Sequence, residues 1–133
     1  MATEYDNTKK EKDFENEEQP LMHRLVITST NMKTAEKLVS NVAAKVKEME
    51  KTHNVKANGP ARLPRKTLSI CTRKSPCGNG TETFDRYEMR IFKRVITLWA
   101  SQTAVDAIIK GLGTEPDVIV ELTCFDDDDQ EEY

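Results

Sequence analysis

Between Gly59 and Arg94 two extended runs flank a loop that reads Ser75-Pro76-Cys77-Gly78-Asn79-Gly80, a cluster of turn residues. Thr67–Thr72 and Thr83–Trp99 read as its strands, so the segment folds back on itself as a hairpin too long for a small body to cover. From Lys56 to Arg94 it carries ten Lys or Arg against three acids, Glu82, Asp85 and Glu88. Such a hairpin cannot bury its charges in a core of its own and calls for polyanions around it, RNA being the obvious candidate. The plain alternative is a solvated charged surface.

The net charge of −3 conceals segregation. Residues 1–20 hold seven acids and three lysines, residues 126–132 hold six acids, and the body between them carries +7. A basic body between acidic ends is the balance of a nucleic-acid binder. At 133 residues the chain is one domain, expected at 21–125 between acidic tails at 1–20 and 126–133; the N-terminal tail has too little apolar content to order itself. Met1–Pro20 is polar and acidic, which does not read as a signal peptide, and no apolar run approaches a membrane span.

Hydrophobic period supplies the rest of the plan. His23–Thr30 is rich in β-branched residues and reads as a first strand. Met32, Ala35, Leu38, Val39, Val42, Ala43, Val46 and Met49 recur at helical spacing behind Asn31, predicting an amphipathic helix that ends before His53. A second strand starts near Val55, but Asn58-Gly59-Pro60 and Pro64 interrupt it. In the return strand Tyr87, Met89 and Ile91 share one face, while Ile96 and Leu98 take the opposite phase, which predicts a bulge or twist near Phe92–Arg94. Ser101 opens a second helix bearing Ala104, Val105, Ile108, Ile109 and Leu112, ended by Gly111 and Gly113. Val118–Cys124 alternates as the last strand. The order β-α-β-β-α-β predicts an α+β, ferredoxin-like fold: four antiparallel strands, two helices on one face, and a long protruding hairpin between the second and third strands.

Nothing in the chain converges on catalysis. His23 and His53 have no acid or nucleophile partner in sequence and read as strand-edge or surface histidines. No phosphate-binding Gly-x-x-x-x-Gly-Lys pattern is present, and the acylphosphatases, which share this chain order, carry an anion loop not found here. The three cysteines are odd in number. Cys71 and Cys124 sit in strand patterns as small hydrophobes, and Cys71-x5-Cys77 without a nearby His is a weak zinc signal. This usage fits a reducing, cytosolic setting. RNA-recognition motifs also use this plan, but the last strand offers no aromatic before Phe125 and their Lys/Arg-Gly-Phe signature is absent; with few aromatics on the arm (Phe84, Tyr87, Phe92), backbone and shape recognition is expected rather than base stacking on the sheet.

The residues that carry a family resemblance are Gly59-Pro60 with Leu63-Pro64, Thr67-Leu68-Ser69-Ile70, Thr72-Arg73-Lys74-Ser75-Pro76-Cys77-Gly78, Asp85-Arg86-Tyr87-Glu88-Met89-Arg90-Ile91 with Lys93-Arg94, and Glu115-Pro116. In this order, over about residues 23–124, the chain resembles the small-subunit ribosomal protein S-ten family, whose eukaryotic members are called S-twenty. The Arg-Lys-Ser-Pro-Cys-Gly tip is similar to the archaeal and eukaryotic branch. Arg65, Ala61 and Asp117 depart from residues common in the family.

The resemblance implies a non-enzymatic constituent of the small (40S) subunit head, binding 18S-type rRNA of the 3′ major domain and neighbouring head proteins. It implies residence on cytoplasmic ribosomes after passage through the nucleolus. Arg62, Arg65, Lys66, Arg73, Lys74, Arg86, Arg90, Lys93 and Arg94 are then the expected rRNA contacts, and Leu63, Ile70, Phe84 and Tyr87 the contacts to protein neighbours. No cofactor, metal, membrane, small-molecule substrate or homo-oligomer is expected. The rival reading is a free RNA- or protein-binding adaptor with a regulatory role, as bacterial relatives in transcription antitermination suggest.

Overall fold

Strand β1 (Leu21–Ser29) buries His23, Leu25, Ile27 and Ser29 on one face, with Val26 also buried on the other, so the core-facing side of the sheet is committed from the first strand. The computed structural model describes residues 20–78, 80–113 and 115–125, and the tail expectations for 1–19 and 126–133 fall outside these residues. Helix α1 (Met32–His53) starts where the Asn31 carboxamide oxygen accepts the Lys33 N–H at 3.1 Å, satisfying one of the free amides of the first turn. Ala35, Leu38, Val39, Val42 and Val46 form its buried stripe. The helix runs on through His53, past the expected end. Its stop is the left-handed conformation of Asn54 (φ 52°), not the last apolar residue.

Then come β2 (Lys56–Arg62), β3 (Lys66–Arg73), β4 (Phe84–Ala100), α2 (Gln102–Lys110) and β5 (Val118–Phe125). The sheet order is β2-β4-β1-β5, all antiparallel, with β3 pairing β4 beyond the end of β2. The expected four strands are therefore five. The second strand splits at Leu63-Pro64-Arg65, where three residues stand against only Phe92 and Lys93 of β4, and Pro64 has no N–H to give to a ladder. Taken as one interrupted strand, β2 and β3 restore the β-α-β-β-α-β order, consistent with a ferredoxin-like α+β fold.

The bulge or twist expected near Phe92–Arg94 leaves the β1 edge of β4 untouched, where pairing runs unbroken from Ala100 to Phe92; it shows on the other edge, where Leu63-Pro64-Arg65 meet Phe92 and Lys93. A further irregularity lies on β2, between Asn58 and Ala61. The phase change has another cause. Arg94, Ile96, Leu98 and Ala100 face the core, whereas Tyr87, Met89 and Ile91 occupy the opposite face farther along the same straight strand.

Both helices pack on the committed face. Leu25 and Ile27 of β1, five residues of α1, Ile96, Leu98 and Ala100 of β4, and Ala104, Val105 and Ile108 of α2 form one core. Gly111 at the end of α2 leaves room for the Lys45 ammonium, a cation at the negative end of the helix. His23 is not at the surface as expected. It is 0% exposed in the core-facing row, with Nδ1 3.1 Å from the Cys124 sulfur across the β1–β5 ladder. Cys71 and Cys124, read from sequence as strand-buried hydrophobes, are exposed because β3 and β5 lie on the outer edges of their pairings. Among the described residues no helix is long and apolar enough to cross a membrane.

Candidate nucleic-acid interface

The arm begins where β1 ends. Ser29 pairs with Phe92, and among the described residues β3 is the only strand paired with β4 from Ile91 to Phe84. All eight residues of β3 are exposed. Alternation sorts the arm into two faces. One carries the cross-strand pairs Ile70–Tyr87, Leu68–Met89 and Lys66–Ile91. The other carries Arg73–Phe84, Cys71–Arg86, Ser69–Glu88 and Thr67–Arg90. The first is an apolar stripe in water, with Ile70 68% and Tyr87 60% exposed; the second is a polar, cationic strip.

The nine expected phosphate-binding cations do not share one environment. Arg62 and Arg94 are direct cross-strand partners, an arrangement of like charges that repels unless neutralised. Glu36 of α1 sits between them. It accepts the Arg62 Nε–H and Nη2–H at 3.2 Å each and the Arg94 Nε–H at 2.9 Å. The Arg62 fork first, and Arg94 with it, hold the Glu36 carboxyl well below its ordinary range, at about 2. Arg94 is 5% exposed and also donates to the Lys93 carbonyl, so it fastens the arm to the body and presents no charge to solvent.

Arg90 grips Glu88 at 3.1 and 3.2 Å, which keeps that exposed carboxyl below its usual value, with a smaller push from Arg65. Lys74 lies 3.5 Å from Asp85. The remaining five, Arg65, Lys66, Arg73, Arg86 and Lys93, are exposed and form no carboxylate ion pair among the described residues. Arg73 and Arg86 lie on the polar strip, Lys66 and Lys93 on the opposite face, and Arg65 at the kink between β2 and β3. Of the four apolar candidates, Ile70 and Tyr87 are a pair on the apolar stripe, Phe84 is on the cationic strip, and Leu63 is at the kink, its N–H donating to the Lys93 carbonyl at 3.1 Å.

Sequence reasoning omitted Leu68 and Met89, which complete the apolar stripe; the two-residue alternation of Tyr87, Met89 and Ile91 was the signal for them. It also omitted Glu36, whose role depends on a helix packing over two strands and leaves no local trace. No group of His, Cys, Asp or Glu among the described residues is arranged to hold a metal.

A two-helix, antiparallel α+β body that extends a cationic, two-stranded arm has the build of a protein that holds a polyanion along a surface. Residues 24–123 match the model of the family described as ribosomal protein S10p/S20e, and the chain belongs to that family. The match begins in β1 and ends in β5, so it takes in the whole arm. Membership makes the chain a structural protein of the ribosome, with rRNA and ribosomal proteins as its partners.

Proposed function

We propose that the chain is a constituent of the small-subunit head, of the eukaryotic S20 type, which threads its arm between 18S-type rRNA of the 3′ major domain and neighbouring head proteins. The observation that carries this reading is the arm itself: two strands with no third element among the described residues, bearing five exposed cations that form no carboxylate ion pair there. Arg73 and Arg86 on one face reach phosphate oxygens as forks, while Ile70, Leu68, Tyr87 and Met89 on the other offer apolar area to a protein neighbour. Lys74, Arg90 and Arg62 reach RNA by exchanging a carboxylate for a phosphate. Arg94 serves by holding the arm in place. Residence on cytoplasmic ribosomes, after assembly in the nucleolus, follows from the same reading.

The test is an Arg73→Glu/Arg86→Glu variant followed through a sucrose gradient of cell lysate. Wild-type chain is expected to sediment with small subunits at near-unit stoichiometry. The variant is expected to stay at the top of the gradient with unchanged circular dichroism. Binding to small-subunit rRNA should also lose about 0.7–0.9 of log–log salt slope for each phosphate contact removed. A wild-type chain found mainly free in the cytosol would support an adaptor role instead.

A further inference from the structure

Where the arm leaves the body, a cleft of about 520 Å³ opens beside the sheet face turned away from the helices. Its origin is the extra residue at Leu63-Pro64-Arg65, which pushes the chain off β4 just where β1 has ended. Lys93 and Ile91 lie two residues apart on β4 and point to the same side; Thr28 is the cross-strand partner of the first and Lys66 of the second. Leu63 and Pro64 form the facing wall with Arg65. The cleft thus has an apolar part, Leu63, Pro64 and Ile91, and three cations, Arg65, Lys66 and Lys93; no acidic residue lines it. The contrast with the helix side of the same junction is sharp. There, Arg62 and Arg94 are both ion-paired to Glu36, whereas among the described residues these three form no carboxylate ion pair, Arg65 acting only weakly on Glu88.

We propose that this cleft receives a single unpaired nucleotide projecting from an RNA helix, its base against Leu63, Pro64 and Ile91 and its flanking phosphates on Arg65, Lys66 and Lys93. The proposal rests on the rRNA-binding reading above and specifies its substrate class. The volume lies in the roughly 300–1,000 Å³ range of sites for small molecules. A continuous duplex would satisfy the cations but offers nothing to the apolar wall, because its bases are stacked inside and its outer surface is sugar and phosphate. An extruded nucleotide presents both a flat apolar face and the adjoining negative charge. The Thr28 hydroxyl at the rim makes no side-chain hydrogen bond and is open to a base edge or a 2′-OH.

The full chain should be titrated by fluorescence anisotropy against three labelled RNAs at one salt concentration: a perfectly paired hairpin, the same hairpin with one bulged nucleotide, and a single strand of equal length. The bulged hairpin is expected to bind about tenfold tighter than the paired one, the order of effect of removing one apolar side chain's worth of surface from water. Leu63→Ser, an exposed position that leaves the charge unaltered, should abolish that preference, bringing the bulged hairpin down to the affinity of the paired one. Arg73→Gln/Arg86→Gln should weaken both hairpins alike. A 5-bromouridine in the bulge should crosslink to residues 63–66 or 91–93. Equal affinity of wild-type chain for bulged and paired hairpins, a Leu63→Ser variant that loses both equally, or a crosslink elsewhere would each overturn the cleft's assignment while leaving arm-mediated RNA binding intact. No binding to any of the three RNAs would overturn both.

Discussion

Glu36 is the residue on which the junction of arm and body turns. It is an ordinary solvent-facing acid in the α1 pattern, and only the fold brings Arg62 and Arg94 to it. Its folded-state carboxyl titrates at about 2, below the ordinary 4.5, so the ionised form stabilises the fold. That contribution is complete above pH 4.5 and is lost as pH falls toward 2. The stability gap between wild type and Glu36→Gln in urea titrations is expected to be about 1 kcal/mol at pH 7, since the carboxylate is one-third exposed, and to close between pH 4.5 and pH 2. A gap that persists at pH 2 would show that the Gln variant loses packing and not charge. Arg94 shows the limit of reading a cation from sequence. Its neighbours Lys93 and Arg90 are exposed and it is buried, and nothing in Lys93-Arg94 distinguishes them except phase with Ile96 and Leu98 on the core face.

At the scale of elements, the buried face of α1 was legible, though its end at His53 was not. Its five buried residues sit at the spacing that the apolar period dictates, because that period exists only to face a core. Val42→Ala, at a position with 0% exposure, should cost about 1–3 kcal/mol in chemical denaturation. The arm was legible as a hairpin but not in its detail. A strand that switches its apolar face produces the same phase change as a bulge, and only the unbroken β1–β4 pairing separates the two. Where the break in the second strand falls, and that β3 pairs anew beyond it, depends on how three residues meet two across Pro64. Because β3 has one hydrogen-bonded neighbour and no buried residue, its amides should exchange through local opening in the free protein. Hydrogen exchange should find Leu68–Thr72 far less protected than Leu25 and Ile27, which open only with the whole body. Equal protection would mean that the arm and body unfold as one unit.

For the whole molecule, the core draws on residues from Leu25 to Ile108, with partly buried residues to Leu122 packed against it. A chain trimmed to residues 21–125 keeps all of these core residues and should melt within about 2 °C of the full chain, the scale of a stability change of a few tenths of a kcal/mol. A larger shift would reveal a contact from the acidic ends. The charge segregation that marked the body as basic was visible in sequence, but the division of its cations into neutralised and free ones was not, because ion pairs such as Arg94–Glu36 join residues 58 apart.

Strand β4 is shared: residues 92–100 are locked into the body between β1 and β2, and residues 84–91 carry the arm. At about 3.3 Å per residue, roughly 26 Å of it overhangs. The molecule is in this sense a cantilever, a beam clamped at one end with its load beyond the support. The Arg62–Glu36–Arg94 contact is the bolt at the clamp. A small rotation of the body is magnified at the far end, and a force applied there returns to the sheet as torque. Its seventeen consecutive strand residues make arm and body one unbroken lever, so that force as well as charge passes between them.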